Sequence, residues 1–302
     1  MKQSIRFVLV ALLLVTAALS AKAQIKVFPQ FKVGDKYVYN CITKSGGVMA
    51  ADATSTIVYY VSQKTADGYV IDQTMTSLKI DSKNDQMAML MNLTQGMLEG
   101  VNVRTATDNR GQAKRIVNFD EVKKSCNNYI VKLINQFFAV SPDLSKTMNK
   151  EDLIKQSMAS VNEKAMLEGI TKTGTSPFYI FGKTIIDGTT DTYTNAQGLK
   201  LKRTYRVLSA NKFTIKGVLD MTKEEKKDFI LKKVEENSPD KLQLVKENID
   251  MLIESGVFDI KGQEETTYEL LSSKWVKAID MTMTFIMMGQ EIKTTAHVEL
   301  AK

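Results

Sequence analysis

The sequence predicts an α+β fold: a curved antiparallel β-sheet, an incomplete barrel, with helices packed on its apolar face. Three observations point there. Apolar and polar residues alternate with period 2 along both ends and the centre of the chain. Two blocks, about 119–168 and 222–255, switch to helical spacing. The two patterns come in separate runs, which is the segregated order of α+β proteins. With 302 residues, 43% hydrophobic and 25% charged, the chain has ordinary globular composition. That composition excludes a disordered chain, a collagen-like chain and a polytopic membrane protein.

Met1–Ala23 reads as a secretory signal peptide. Lys2 and Arg6 precede the apolar run Phe7–Leu19, and Ala21-Lys-Ala23 puts small residues at −3 and −1 of a cleavage site. The run is shorter than the roughly 20 residues a membrane span needs. Cleavage leaves Gln24 first, and no cysteine stands there to take a lipid anchor. The leader carries Lys2, Arg6 and Lys22 and no acid, so the net charge of +7 falls to +4. Neither that balance nor export suits a nucleic-acid partner. The protein is therefore expected in the periplasm or secreted, without a transmembrane segment after cleavage.

The remainder, 24–302, reads as one β-rich domain. Lys36–Thr43, Thr54–Ser62 and Tyr69–Ile80 are strand-like, with Asp67-Gly68 turning the last two. Val101–Thr107 and Ala113–Phe119 flank the turn Asp108-Asn-Arg-Gly111. Val122, Cys126, Ile130, Leu133 and Phe137 then recur at helical spacing, with Asn118 and Glu121 resembling a capping box. Asn149 can cap a second helix carrying Leu153, Met158, Val161 and Ala165. Leu199, Leu201, Tyr205 and Val207 alternate with Lys200, Lys202, Thr204 and Arg206, and Phe213, Ile215 and Leu219 continue the apolar set. Thr222 with Glu225 opens the second helical block, Ser238-Pro239 restarts it, and Gly256 stops it. The last segment is a hairpin. Ile279, Met281, Met283, Phe285 and Met287 share one face, and Ile292, Ala296, Val298 and Leu300 answer them after Gly289-Gln290.

Chemistry-bearing patterns are sparse. A Ser-His-Asp or Cys-His dyad would need His297, the single histidine, which the alternation puts on a polar strand face. Lys172-Thr-Gly174 matches one penicillin-binding motif, but both mature Ser-x-x-Lys matches follow it, and Ser238 reads better as a helix cap. One histidine and two distant cysteines do not make a zinc site, and Asp187-Gly-Thr-Thr-Asp191 reads as a polar loop rather than a calcium loop. No metal, cofactor or enzymatic activity is expected. Cys41 and Cys126 are a disulfide candidate that would close a loop of about 85 residues; two unpaired buried thiols are the alternative. The 16 methionines suit pliable apolar surfaces, with Cu(I) ligation a remote alternative. Lys200, Lys202, Arg206, Lys212 and Lys216 give one sheet face a basic row.

Phe31-Lys-Val-Gly-Asp-Lys-Tyr-Val-Tyr39 after an Ala-x-Ala-Gln site resembles the opening of exported proteins of Gram-negative bacteria that have no assigned activity. Thr107-Asp-Asn-Arg-Gly111 before Val117-Asn-Phe-Asp-Glu121, and Met287-Met-Gly-Gln290, carry the same resemblance. The order of strands and helices is also similar to periplasmic lipoprotein carriers, which hold an apolar cavity between an incomplete barrel and a helical lid; only architecture supports that likeness.

The expected function is a non-enzymatic exported protein that binds an apolar or amphiphilic ligand, such as a lipid or acyl chain, between sheet and helices. Phe137, Phe138, Met281, Met283, Phe285 and Met287 are the expected lining. The alternative is a structural or interaction module of the cell envelope, binding a protein or polysaccharide partner through its sheet face.

Overall fold

The structure is a computed structural model that describes residues 22–47, 50–82, 96–140, 149–195, 198–256, 260–287 and 290–301. The expected leader, up to Ala21, lies outside them. Gln24–Lys26 (β1) is the first strand, followed by Lys36–Ser45 (β2), Ala51–Lys64 (β3), Gly68–Asp81 (β4), Asn102–Asp108 (β5) and Ala113–Ile116 (β6). Three helices come next: Phe119–Val140 (α1), Lys150–Ser160 (α2) and Glu163–Lys172 (α3). Thr184–Ile186 (β7), Thr190–Thr194 (β8), Lys200–Ser209 (β9) and Lys212–Leu219 (β10) precede Lys223–Asn237 (α4) and Leu242–Glu254 (α5). Lys261–Leu270 (β11), Val276–Met287 (β12) and Gln290–Leu300 (β13) complete the chain.

Eleven strands form one antiparallel sheet in the order β6-β5-β4-β3-β2-β13-β12-β11-β10-β9-β8, and β1 pairs with β7 apart from it. The sheet is curved and does not close, so the expected class holds. It consists of two meanders. Their seam is the pairing of the last strand with β2, where Ala296 faces Thr43 and Val298 faces Cys41. The alternation read in the final hairpin sets the register here, because slipping by one residue would turn every apolar side chain to the other face.

All five helices among the described residues pack on one face, the covered face. Its centre is an aromatic cluster: Tyr39, Tyr59, Phe213 and Tyr268 from the sheet and Trp275 from the turn before β12, with Phe178 and Phe181 packed among them. Trp275 stacks on Tyr37 at 4.3 Å and meets Phe31 edge to face at 5.4 Å. Edge-to-face and offset rings add contact beyond their buried area. At the β5/β6 end, α1 buries Val122, Cys126, Ile130 and Ile134 against Val103 and Ile116. At the other end, Ile230 of α4 and Ile249 of α5 join Leu199 and Ile260, with Phe285 partly buried against them.

Several local readings change. Asn118 spends its side chain on the neighbouring strand: its Oδ1 accepts from the Arg104 N–H at 2.9 Å, and its Nδ2 donates to the Asn102 carbonyl at 2.9 Å. The second helix stops at Ser160, and Asn162 caps a third by accepting from the Ala165 N–H at 2.8 Å. The Asn149 cap and the Thr222–Glu225 capping box form as expected. Ser238 makes no side-chain cap; it ends α4, and Pro239 opens the turn into α5. The segment read as a polar loop at 187–191 runs into β8.

Candidate functional site

The cysteines are free, which corrects the disulfide candidate. Cys41 packs against the central aromatic cluster and Cys126 sits in the α1 layer. The Cys126 Sγ lies 3.7 Å from the Met97 carbonyl, and burial pushes both thiols up from their ordinary pKa, Cys41 to about 11. Sequence separation held no information on how closely the two thiols approach.

The six expected lining residues fall into different places. Phe137 and Phe138 are half-buried near the end of α1, edge to face at 6.3 Å, and Phe138 packs on the α1 cluster. Phe285 belongs to the opposite, α4–α5 end. It lies across Gly262 of β11, where a Cβ would come 2.1 Å from the ring, so only glycine fits beneath it. Met287 ends β12, and its side chain lies outside those described. Met281 and Met283 are half-buried on the covered face and join none of the three clusters among the described residues.

Those two methionines open a strip of small side chains. From Met283 the pairing runs through Thr294, Ser45 and Ala51 on β13, β2 and β3. From Met281 it runs through Ala296, Thr43 and Ala53. Small residues thus run across three adjacent strands, and Ala51, Ala53 and Ala296 among them are buried. The turn at Gly174 overhangs one end: a Cβ there would meet the Thr266 hydroxyl at 3.4 Å and the Met281 Sδ at 3.7 Å.

In the other direction the Met283 row becomes polar: Glu264, Gly217, Arg203 and Asp191 on β11, β10, β9 and β8. Arg203 is buried on the apolar register of β9, between Leu201 and Tyr205. Its Nε and Nη2 bind the Asp191 carboxylate at 2.8 and 2.5 Å, and its Nη1 donates to the Tyr179 hydroxyl at 2.5 Å. The guanidinium lies 4.1 Å from the Tyr193 ring centre. Burial works against the Asp191 carboxylate, but the bonds from Arg203 and Tyr205 outweigh it and hold its pKa below the ordinary value. Glu264 folds over the space left at Gly217, where a Cβ would meet its Cγ at 2.8 Å. Desolvation pushes the Glu264 carboxyl up, and the nearby Arg203 charge only partly opposes this. Lys183, just before β7, sets its ammonium 4.1 Å from the Tyr179 ring centre.

Sequence reading missed Arg203 and Glu264. For Arg203 the signal was present: position 203 falls in the apolar register of a strand already recognised. Glu264 sits on a strand, KGQEETTYEL, whose three glutamates mask its alternation.

The other face of the sheet carries the basic row and is open. Two adjoining grooves of about 370 and 700 Å³ lie over β9 to β12. Lys216, Glu265, Thr267 and Asp280 line both, and Thr204, Arg206, Lys212 and Thr214 extend the larger one. His297 stands on this face, its Nδ1 2.6 Å from Asp280. The hydrogen bond to Asp280 raises its pKa, with a smaller rise from Glu299. Among the described residues, no group of three or more His, Cys, Asp or Glu side chains is placed to hold a metal, and no helix is long and apolar enough to cross a membrane.

No family model matches the chain, and no curated protein matches it. Among solved structures it is similar to one described as lipid-protein interactions in lipovitellin, at 10% identity and a TM-score of 0.41. The similarity covers 90% of this chain and 26% of that one, so the chain spans about a quarter of that protein's length.

Proposed function

We propose that this is an exported, non-catalytic protein that binds an apolar or amphiphilic ligand, such as an acyl chain, on the covered face of its sheet. The observation that carries the reading is the strip headed by Met281 and Met283. It sets two thioethers beside small side chains, Ala51, Ala53 and Ala296 with the hydroxyls of Thr43, Ser45 and Thr294, and the two methionines join none of the three core clusters among the described residues. Thioether side chains adapt to tails of varying shape, and a site between helices and a curved sheet shields most of a ligand from water. Native mass spectrometry of the protein isolated from the cells that make it tests this. A bound lipid-sized mass that leaves on activation is expected. Protein that stays empty, and takes up no acyl ligand on titration, overturns the reading.

The open-face grooves favour a second reading, an interaction module for a polar partner. Arg206 and Lys212 meet no carboxylate there among the described residues, and Lys216 reaches Glu265 only at 4.0 Å. If this reading holds, reversing charge at Arg206 and Lys212 abolishes partner capture and leaves acyl binding alone.

A further inference from the structure

Charge is unevenly spread over the open face. The register puts Lys202 and Arg206 of β9 and Lys212 and Lys216 of β10 on that side, and the edge strand β8 adds only threonines to it. The one acid of these three strands, Asp191, lies on the other face with Arg203. Lys202, Arg206, Lys212 and Lys216 therefore share the face with no carboxylate from their own strands or from β8. Lys200, at the start of β9, is already tied to Glu225 at 2.6 Å. The acids begin on β11 and β12, and two of them face partners of their own. Glu269 meets Lys277 at 2.5 Å and Asp280 meets His297 at 2.6 Å, while Glu265 reaches Lys216 only at 4.0 Å. Among the described residues, Lys202, Arg206 and Lys212 have no carboxylate within ion-pair distance.

Thr214 pairs with Arg206 and stands midway between Lys212 and Lys216, so three of the cations form a triangle, and all three line the larger groove. Two exposed aliphatic side chains bracket it. Leu208, 48% exposed, shares that groove, and Val218, 49% exposed, lies two residues past Lys216 and opposite Lys202. Cations alone suit any polyanion. Cations flanked by exposed aliphatic side chains suit an anionic bilayer, which offers charge at its head groups and an apolar layer just beneath them. We propose that the β8–β10 end of the open face docks on an anionic lipid bilayer. Lys202, Arg206, Lys212 and Lys216 lie over the head groups, and Leu208 and Val218 reach below them. This rests on the interaction-module reading and names its partner.

Co-sedimentation with phosphatidylcholine vesicles, with and without phosphatidylglycerol, tests it. Wild type is expected to bind the phosphatidylglycerol vesicles more tightly and to leave them as salt rises. Each lysine or arginine at such a surface strengthens attachment about fivefold, so Arg206→Gln with Lys212→Gln should weaken it about 25-fold. Both positions are exposed, and thermal melts of the double variant should match wild type. Leu208→Ser should weaken vesicle binding yet leave unchanged any binding to polygalacturonate, an acidic polymer with no apolar layer. Equal binding to the two kinds of vesicle, or a double variant that binds as wild type does, overturns the proposal. So does a Leu208→Ser variant that holds the phosphatidylglycerol vesicles as tightly as wild type, because the face then takes any polyanion. Capture of a protein or glycan through Arg206 and Lys212 without vesicle binding sinks the proposal and leaves the interaction-module reading standing. With neither vesicle binding nor such capture, both fall.

Discussion

Helix α1 buries Val122, Cys126, Ile130 and Ile134, one residue per turn, against β5 and β6, whereas α4 and α5 each bury a single residue among those described, Ile230 and Ile249. The α4 sequence explains the contrast. KEEKKDFILKKVEEN holds few apolar positions, and its helix is fastened to α5 by surface ion pairs, Lys223 to Glu254 at 2.7 Å and Lys227 to Asp250 at 2.5 Å. Exposed pairs of that kind contribute about 0–1 kcal/mol each. On α5, Leu244 and Met251 remain 65% and 61% exposed. One helical layer is therefore part of the core, and the other rests on it. Layers held by few apolar contacts open at lower free energy than the whole molecule. The α4–α5 layer covers Phe285, two residues beyond Met283, so its opening would uncover the end of the proposed strip.

The largest expected effect tests that contrast directly. Ile130→Ala should cost about 3 kcal/mol, because it removes a fully buried side chain and leaves a cavity in the α1 layer. Urea melts measure it. In native-state hydrogen exchange, α1 amides should exchange only with global unfolding, and α4–α5 amides well before it. Equal protection of the two layers would break the comparison.

Phe285→Ala comes next, at about 2 kcal/mol, less than a core phenylalanine because the ring is half-buried. The loss should appear mainly as faster exchange in α4 and α5. A cost above that of Ile130→Ala would mean that the α4–α5 layer is the better packed.

The patterns that sequence reading recovered are those with a clear period. The Ile279–Phe285 alternation and the Thr222–Glu225 capping box appear as read, and the α1 stripe does at Val122, Cys126 and Ile130, continuing through Ile134 and Phe138 rather than Leu133 and Phe137. What it missed has a physical cause in each case. Strand β11 carries Glu264, Glu265 and Glu269, so its inward set of Thr266, Tyr268 and Leu270 is diluted below recognition. Arg203 is acceptable on a buried face only because Asp191, Tyr179 and Tyr193 surround it, and those come from two segments outside its own strand, the 177–179 turn and β8. Asn118 has the composition of a cap, yet the edge of β5 competes for the same side chain.

Lys183, beside Tyr179 and Arg203, supplies the third prediction. Its folded pKa, about 8, lies below the ordinary 10.5. Between those values the unfolded chain binds more protons, so stability should rise with pH from about 8 to 10.5, and the full cost is present below pH 8. Lys183→Met should therefore stabilise the protein by about 1–2 kcal/mol at pH 7 and flatten that rise. Thermal melts from pH 7 to 10.5 decide it. A destabilised variant would show that the ammonium has a partner in the free protein.

The smallest effect concerns the register on which the comparison depends. Thr284 neighbours Phe285 and so faces the other way, onto the open-face groove, paired with Gln263 and Lys293. Thr284→Lys places a long, flexible side chain in solvent. Repulsion from Lys293 is screened there, and Glu265 on the same face offsets part of it. The expected change is about 0.5 kcal/mol or less. Urea melts of this variant beside Phe285→Ala give a ratio that is insensitive to the absolute scale. If Thr284→Lys proves the more damaging, β12 is turned over: Met281 and Met283 then face the open side, and the strip loses its apolar edge. The proposed acyl site would then have no tail-binding surface on the covered face.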